Sequence, residues 1–431
     1  MPEEGGLMPQ ILPIRGLRYS ASAGPIASLL APPYDVISAA QHRALLARSP
    51  HNAVRLELAE GGEERYAGVA TMLADWEAAG TLVRDEVPML YVYEQRFTEE
   101  GQEYSRAALI AGVEAQPWEE GAVKPHEYTM SGPKEDRLKL LEATRVQLSP
   151  VFMIARDRAG QLRQFTDETM TSRGPDIEAE TPEGDTHRLW LIEAGRYEMR
   201  HIAPLLSESF TIADGHHRYE TAVSYKQRRL ESEGKLERDH PARFALAAIV
   251  AADDPGLVIR PIHRIVGRAV PADWRERLAS HFTIERVQAK GIEGALAAVS
   301  TAKGAIVALG MEPGEPGFVL TPRGDGVCAS LAPSGHSEAW TRISPNLCRY
   351  GVLEPLWGIT DADLAAGAVE YTHDAAEVAR RVAEGACGLL LQPVSIQDTI
   401  ALADAGERMP QKSTFFHPKL GTGLVFHPLF P

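Results

Sequence analysis

Hydrophobic positions along this chain switch between short continuous or alternating runs and a three-to-four-residue spacing, the two patterns that mark strands and helices. Residues 11–19 read as a first strand, and Pro32-Pro33-Tyr34-Asp35-Val36-Ile37-Ser38 as a rigid turn. Ser38 caps a short helix over 38–47. Residues 66–79 form a second, with Val69, Met72, Leu73 and Trp76 at helical spacing and Gly80 as its stop. Residues 89–97 and 104–114 predict a hairpin around Thr98-Glu99-Glu100-Gly101. Pro133 opens a helix to about 146, and 151–155 and 189–192 are short strands. Residues 245–251 form a buried strand, which Asp253-Asp254-Pro255-Gly256 turns into 257–262.

The alternation restarts after Val270-Pro271. Helices are expected from Trp274, near Gly294, over 374–384 and over 395–405, with strands at 305–309, 318–321 and 388–392. A chain of 431 residues exceeds one ordinary core, so the predicted division is 1–270 and 271–431. The fold class is mixed α/β. Composition is that of a globular protein, 44% hydrophobic and 24% charged, and no apolar run reaches membrane length. Three widely spaced cysteines show no metal-ligand spacing and fit a reduced, cytoplasmic protein, and no signal peptide is visible. The net charge of −15 argues against nucleic-acid partners. It leaves room for a local basic pocket; oligomeric state is open.

The densest chemistry lies in Phe210-Thr211-Ile212-Ala213-Asp214-Gly215-His216-His217-Arg218-Tyr219. Phe210 and Ile212 end a buried strand, Asp214-Gly215 is a turn, and Tyr219, Ala222, Val223 and Leu230 begin a helical stripe. Strand, glycine turn and helix start together present backbone N–H groups and a positive helix end to an anion. Arg218 in the first turn adds a planar fork that suits phosphate or carboxylate. The plainer alternative is a helix capped by Asp214 with surface histidines.

Four further clusters stand out. In Lys124-Pro125-His126-Glu127, Glu127 is a candidate general base, with Lys134 and Arg137 nearby on one face of a helix start. Solvated alternating charge explains that helix start as well. Pro32-Pro33-Tyr34-Asp35 is a stiff platform for a binding loop or a buried turn. His51-Asn52-Ala53-Val54-Arg55-Leu56-Glu57 reads equally as a ligand site or a partly buried strand edge. Lys412-Ser413-Thr414, inside a charged stretch running to Lys419, supplies an ammonium and two hydroxyls for phosphate but lacks a P-loop's glycines. Asp214, His216 and His217, with His126, Glu127 or His187, could ligate a metal, although no His-x-x-x-His or Cys-x-x-Cys is present. A Mg²⁺ arriving with a nucleotide needs only one or two carboxylates, Asp214 among them, and otherwise keeps water.

Residues 213–222, Ala-Asp-Gly-His-His-Arg-Tyr-Glu-Thr-Ala, resemble the signature of the domain-of-unknown-function 1015 family. The resemblance extends through Ala31-Pro32-Pro33-Tyr34-Asp35-Val36-Ile37, His51-Asn52, the 124–127 and 134–137 clusters, His187-Arg188-Leu189-Trp190 and Met409-Pro410-Gln411-Lys412-Ser413-Thr414. Asp-Gly-His-His-Arg after a strand is also similar to the phosphate-binding turn of the ParB/sulfiredoxin superfamily, which includes partitioning CTPases and free-serine kinases. That resemblance implies a ParB/sulfiredoxin-like core within 1–270, carrying an insertion at about 85–205, plus a C-terminal α/β domain. The serine kinases' matching turn has a small polar residue where His217 stands, and their catalytic glutamate lies upstream, at Glu127 or Glu57 here.

The implied activity is nucleotide-dependent phosphoryl transfer on a small hydroxylated metabolite, serine or phosphoserine first, with ATP/ADP or CTP and Mg²⁺. Gly215, His216 and His217 would cradle phosphate and Arg218 would neutralise its charge. Asp214 would hold Mg²⁺ or orient the acceptor, and Glu127 would take the hydroxyl proton. His126, Lys134, Arg137, Lys412, Ser413 and Thr414 would supply further phosphate or nucleotide contacts. The rival readings are a nucleotide-switched binding protein and a metal-dependent hydrolase.

Overall fold

The computed structural model describes residues 10–430 apart from 129–130, 196–198, 201, 203–207, 290, 325–326 and 332; the side chains of 131–133, 328 and 331 are also outside it. The fold is mixed α/β, as the sequence predicts. Two compact units divide it: Met1–Pro125 with Thr129–Val258 and Pro418–Pro431, and His126–Tyr128 with Ile259–His417. The break therefore falls before the predicted 270/271. Two short segments also leave their sequence neighbours, an exchange that no linear division of a sequence can express.

A nine-stranded sheet organises the first unit, with Phe244–Ala251 between Val151–Ala155 and Gln102–Glu114. Phe244–Ala251 is buried at every position, which explains its unbroken apolar run. It runs parallel to Val151–Ala155, which in turn pairs antiparallel with Phe210–Asp214. The hairpin Met89–Glu99 and Gln102–Glu114 forms around the predicted turn. Thr186–Glu193 extends the sheet beyond it. The 85–205 stretch, expected as an insertion, thus builds the same sheet as the signature strand. Residues 11–19 split into Ile11–Leu12 and Leu17–Tyr19, with Pro13, which has no N–H to donate, between them.

The helix His216–Glu233 seats Tyr219 and Ala222 in the core formed with Met153, Phe210, Ala245 and Ile249. The Tyr219 hydroxyl donates to the Gln116 carbonyl and accepts from its N–H, both at 2.9 Å, so the first helical turn is locked to the sheet side. Ser38 forms the predicted cap, as a reciprocal capping box with Gln41 at the start of Ala39–Arg48. Residues 53–57, which alternate like a strand edge, instead form the helical turn Val54–Glu57. Asn52 causes this: its Oδ1 accepts from the Val54 N–H at 3.0 Å, while its Nδ2 donates to the Ser28 and Leu30 carbonyls.

The second unit carries a six-stranded antiparallel sheet in the order Phe282–Arg286, Phe318–Pro322, Ile306–Leu309, Cys387–Leu390, His263–Val266, Glu370–Thr372. Among the described residues no helix is long and apolar enough to cross a membrane.

Candidate functional site

In the first unit the signature strand meets Val151–Ala155 with a register shift between Ile212 and Asp214, leaving Ala213 as an extra residue. Such a bulge re-aims the side chain that follows it. Asp214 then faces two cations. Arg218 Nη2 donates to Oδ2 at 2.5 Å, and Lys419 Nζ donates to Oδ1. Burial alone would push the Asp214 carboxyl up; Lys419 and Arg218 outweigh it and hold the group near about 2. Asp214 is therefore not the helix cap. That position belongs to Gly215, which has φ +91° and contributes no capping side chain. A Cβ at Gly215 would lie 2.9 Å from the Arg218 Nε, so glycine provides both the backbone conformation and the room for the returning guanidinium.

Arg218 also donates to the Pro150 carbonyl. Burial lowers its pKa, but the carboxylates of Asp214, Asp35 and Glu57 reverse the effect and raise it. Residues from three separate sequence clusters thus act electrostatically on one guanidinium. Arg137 belongs to the same group: its Nη1 donates to the Glu57 carbonyl at 2.9 Å and to Glu57 Oε2 at 3.1 Å, and its guanidinium lies 4.2 Å over the Tyr34 ring. Its other edge holds Asp136, which also accepts from Arg65 and the Tyr66 hydroxyl. Burial works against ionising Asp136, yet Arg137, Arg65 and Tyr66 hold it near about 2. Burial lifts the Tyr34 phenol to about 12, keeping it neutral.

Glu57 is only 3% exposed, and its Oε1 is buried with no hydrogen-bond partner. Leaving a buried acceptor unsatisfied costs on the order of 1–3 kcal/mol, and more for a charged group. Glu57 and Arg137 form a common wall between two cavities. One, of about 50 Å³, is also lined by Arg218, Ser149 and Thr221. The other, of about 390 Å³, opens toward Ile37, Leu56, Val69 and Leu140.

The predicted residues fall into two sets. Asp214, Gly215, His216, His217, Arg218, Lys134 and Arg137 belong to the first unit; His126, Glu127, Lys412, Ser413 and Thr414 belong to the second. Lys134 and Arg137, expected on one face, diverge: Lys134 Nζ stands 3.6 Å from Glu220, while Arg137 turns to Glu57. Glu127 Oε1 accepts from the Ser413 N–H at 3.1 Å and from the Thr414 N–H and hydroxyl, each at 2.9 Å. His126 is fully buried, with Nε2 2.8 Å from Thr414 Oγ1. The Lys-Ser-Thr loop therefore binds a carboxylate of its own unit. His187 is buried against Tyr93, and burial, with Arg106, lowers its pKa to about 4.

The metal expectations fare differently. Both Asp214 oxygens already accept from cations, so Asp214 does not fit as a Mg²⁺ ligand. The other suggested ligands are divided between the units, and among the described residues no group of three His, Cys, Asp or Glu side chains could hold a metal ion. Sequence reasoning named Lys419 only as the end of the charged stretch after Lys412, with nothing in its spacing to tie it to position 214. It also left Glu57 as a second choice, although the turn-forming Asn52 was the available signal.

The family model described as Protein of unknown function (DUF1015) matches residues 11–324. The chain belongs to this family. The DUF1015 match contains Tyr34, Glu57, Arg137 and the signature turn, and it ends before Lys419. No curated protein sequence matches the chain. Among solved structures, a free serine kinase mutant in complex with ADP is similar over 73% of this chain and 92% of its own, with 14% identity and a TM-score of 0.35. SbnI from Staphylococcus aureus, with a C-terminal truncation, gives 74%, 87%, 12% and 0.36 for the same measures. A conserved hypothetical protein from Pyrococcus furiosus gives 73%, 95%, 14% and 0.33. Likeness this slight carries no argument about activity.

Proposed function

We propose that the Glu57, Arg137 and Arg218 site catalyses phosphoryl transfer between a nucleotide and the hydroxyl of a small metabolite. The observation that carries this reading is a buried carboxylate oxygen without a partner, sharing a cavity with two guanidinium groups. Arg218 faces the charge of a phosphoryl group in flight while Arg137 holds Glu57 beside it, and the turn at Gly215, His216 and His217 supplies the positive end of an 18-residue helix. Glu57 Oε1 accepts the acceptor's proton as the new O–P bond forms and the P–O bond to the nucleotide breaks. Asp214 is a positioning residue, holding Arg218 with one oxygen and Lys419 with the other. Glu127, already engaged by Ser413 and Thr414, is assigned to organising that loop.

Calorimetric titration of ATP and ADP into the full-length protein tests the phosphate side. The Arg218→Ala variant is expected to bind about tenfold more weakly or worse, the loss of one charge-assisted contact. Unchanged affinity would remove Arg218 from the site. Free serine, the acceptor implied by the sequence resemblance, is the first arm of a transfer assay.

A further inference from the structure

The larger cavity bears on what the acceptor is, and the inference rests on the phosphoryl-transfer reading above. At about 390 Å³ it is an open cleft within the size range of small-molecule sites. Its apolar lining comes from Ile37, Leu56, Leu58, Ala59, Val69 and Leu140. Its charged lining is already matched within itself. Asp136 accepts from Arg65 and Tyr66 through Oδ1 and from Arg137 through Oδ2. Arg137 also serves Glu57 Oε2, and His42 Nε2 is 3.0 Å from the Leu58 carbonyl. An ionic ligand body would have to break one of these pairs or lie against the walls without a counter-charge. Among the described residues of this lining, Glu57 Oε1 is the buried side-chain polar atom without a hydrogen-bond partner.

We infer that the cavity takes an uncharged alcohol with an apolar body, its hydroxyl directed at Glu57 Oε1. The ammonium and carboxylate of a free amino acid such as serine would both go unmatched there. A sugar-like polyol would lose its hydrogen bonds to water with little in return. The aliphatic walls contribute through the apolar area of the body that they remove from water.

The test is saturation-transfer NMR on the full-length protein with benzyl alcohol and L-serine at equal concentration. Saturation should reach the ring protons of benzyl alcohol and not serine. Ala59→Phe, which fills the cavity, should cut that signal about tenfold. Ala39→Phe, at an exposed position on the same lining, serves as a second variant should the first fail to fold. Serine saturating as strongly as benzyl alcohol, or a benzyl alcohol signal indifferent to both variants, would overturn the inference. Nucleotide titration of the same samples reads the phosphate side independently. Alcohol binding without nucleotide binding would contradict the transfer reading alone; nucleotide binding with serine as the cavity ligand would contradict this inference alone.

Discussion

Asp214 shows how one carboxylate can be kept ionised in a buried place by cations from distant parts of the chain. Its pKa is depressed in the folded state, so its stabilising contribution is present above the unfolded value near 3.8 and is lost as pH falls through about 2. That contribution is on the order of 2 kcal/mol. Lys419→Met removes one of the two cations, so the acid loss of stability should begin at higher pH than in the parent protein. Urea unfolding over a pH series measures this, and coincident acid limbs would show that Lys419 does not hold Asp214. Gly215 is constrained twice, by φ +91° and by the Arg218 guanidinium. Gly215→Ala should cost about 1–2 kcal/mol from the left-handed backbone alone, with a further loss of nucleotide affinity as Arg218 is displaced. Stability within a few tenths of the parent's would argue against the close return of Arg218.

At the scale of elements, most of the architecture was legible because apolar periodicity survives into the structure. Val151–Ala155, the 89–114 hairpin and the helix after the signature turn appear where the pattern places them. The Val54–Glu57 turn was not legible, because four residues are too few for periodicity and a single side-chain cap decided the outcome. Asn52→Ala should therefore act on function through geometry. It removes the cap and two ties to the Ser28 and Leu30 carbonyls, costing about 1–3 kcal/mol. Activity should fall further than that stability loss explains, since Glu57 sits at the end of the turn. If activity tracks the folded fraction alone, the turn does not position Glu57.

Across the whole molecule, the chain's last segment is part of the first unit. Phe426 bridges to Leu17, Thr422 to Ala31, and His427–Pro428 pair with Val146–Gln147, while Lys419 reaches Asp214. Such long-range pairings leave no local pattern, which is why the tie of Lys419 to Asp214 escaped the sequence reading and Glu127 looked a better base than Glu57. A chain ending at His417 should lose amide protection at Leu17 and Ala31 by hydrogen exchange; retained protection would show that the segment is dispensable. The most direct test of the central claim is phosphorus NMR of ATP with benzyl alcohol and, separately, with serine, comparing parent, Glu57→Gln and Glu127→Gln proteins. Phosphate transfer to the alcohol should fall about 100- to 10,000-fold in Glu57→Gln and persist in Glu127→Gln. Transfer that survives Glu57→Gln and disappears with Glu127→Gln would contradict the claim.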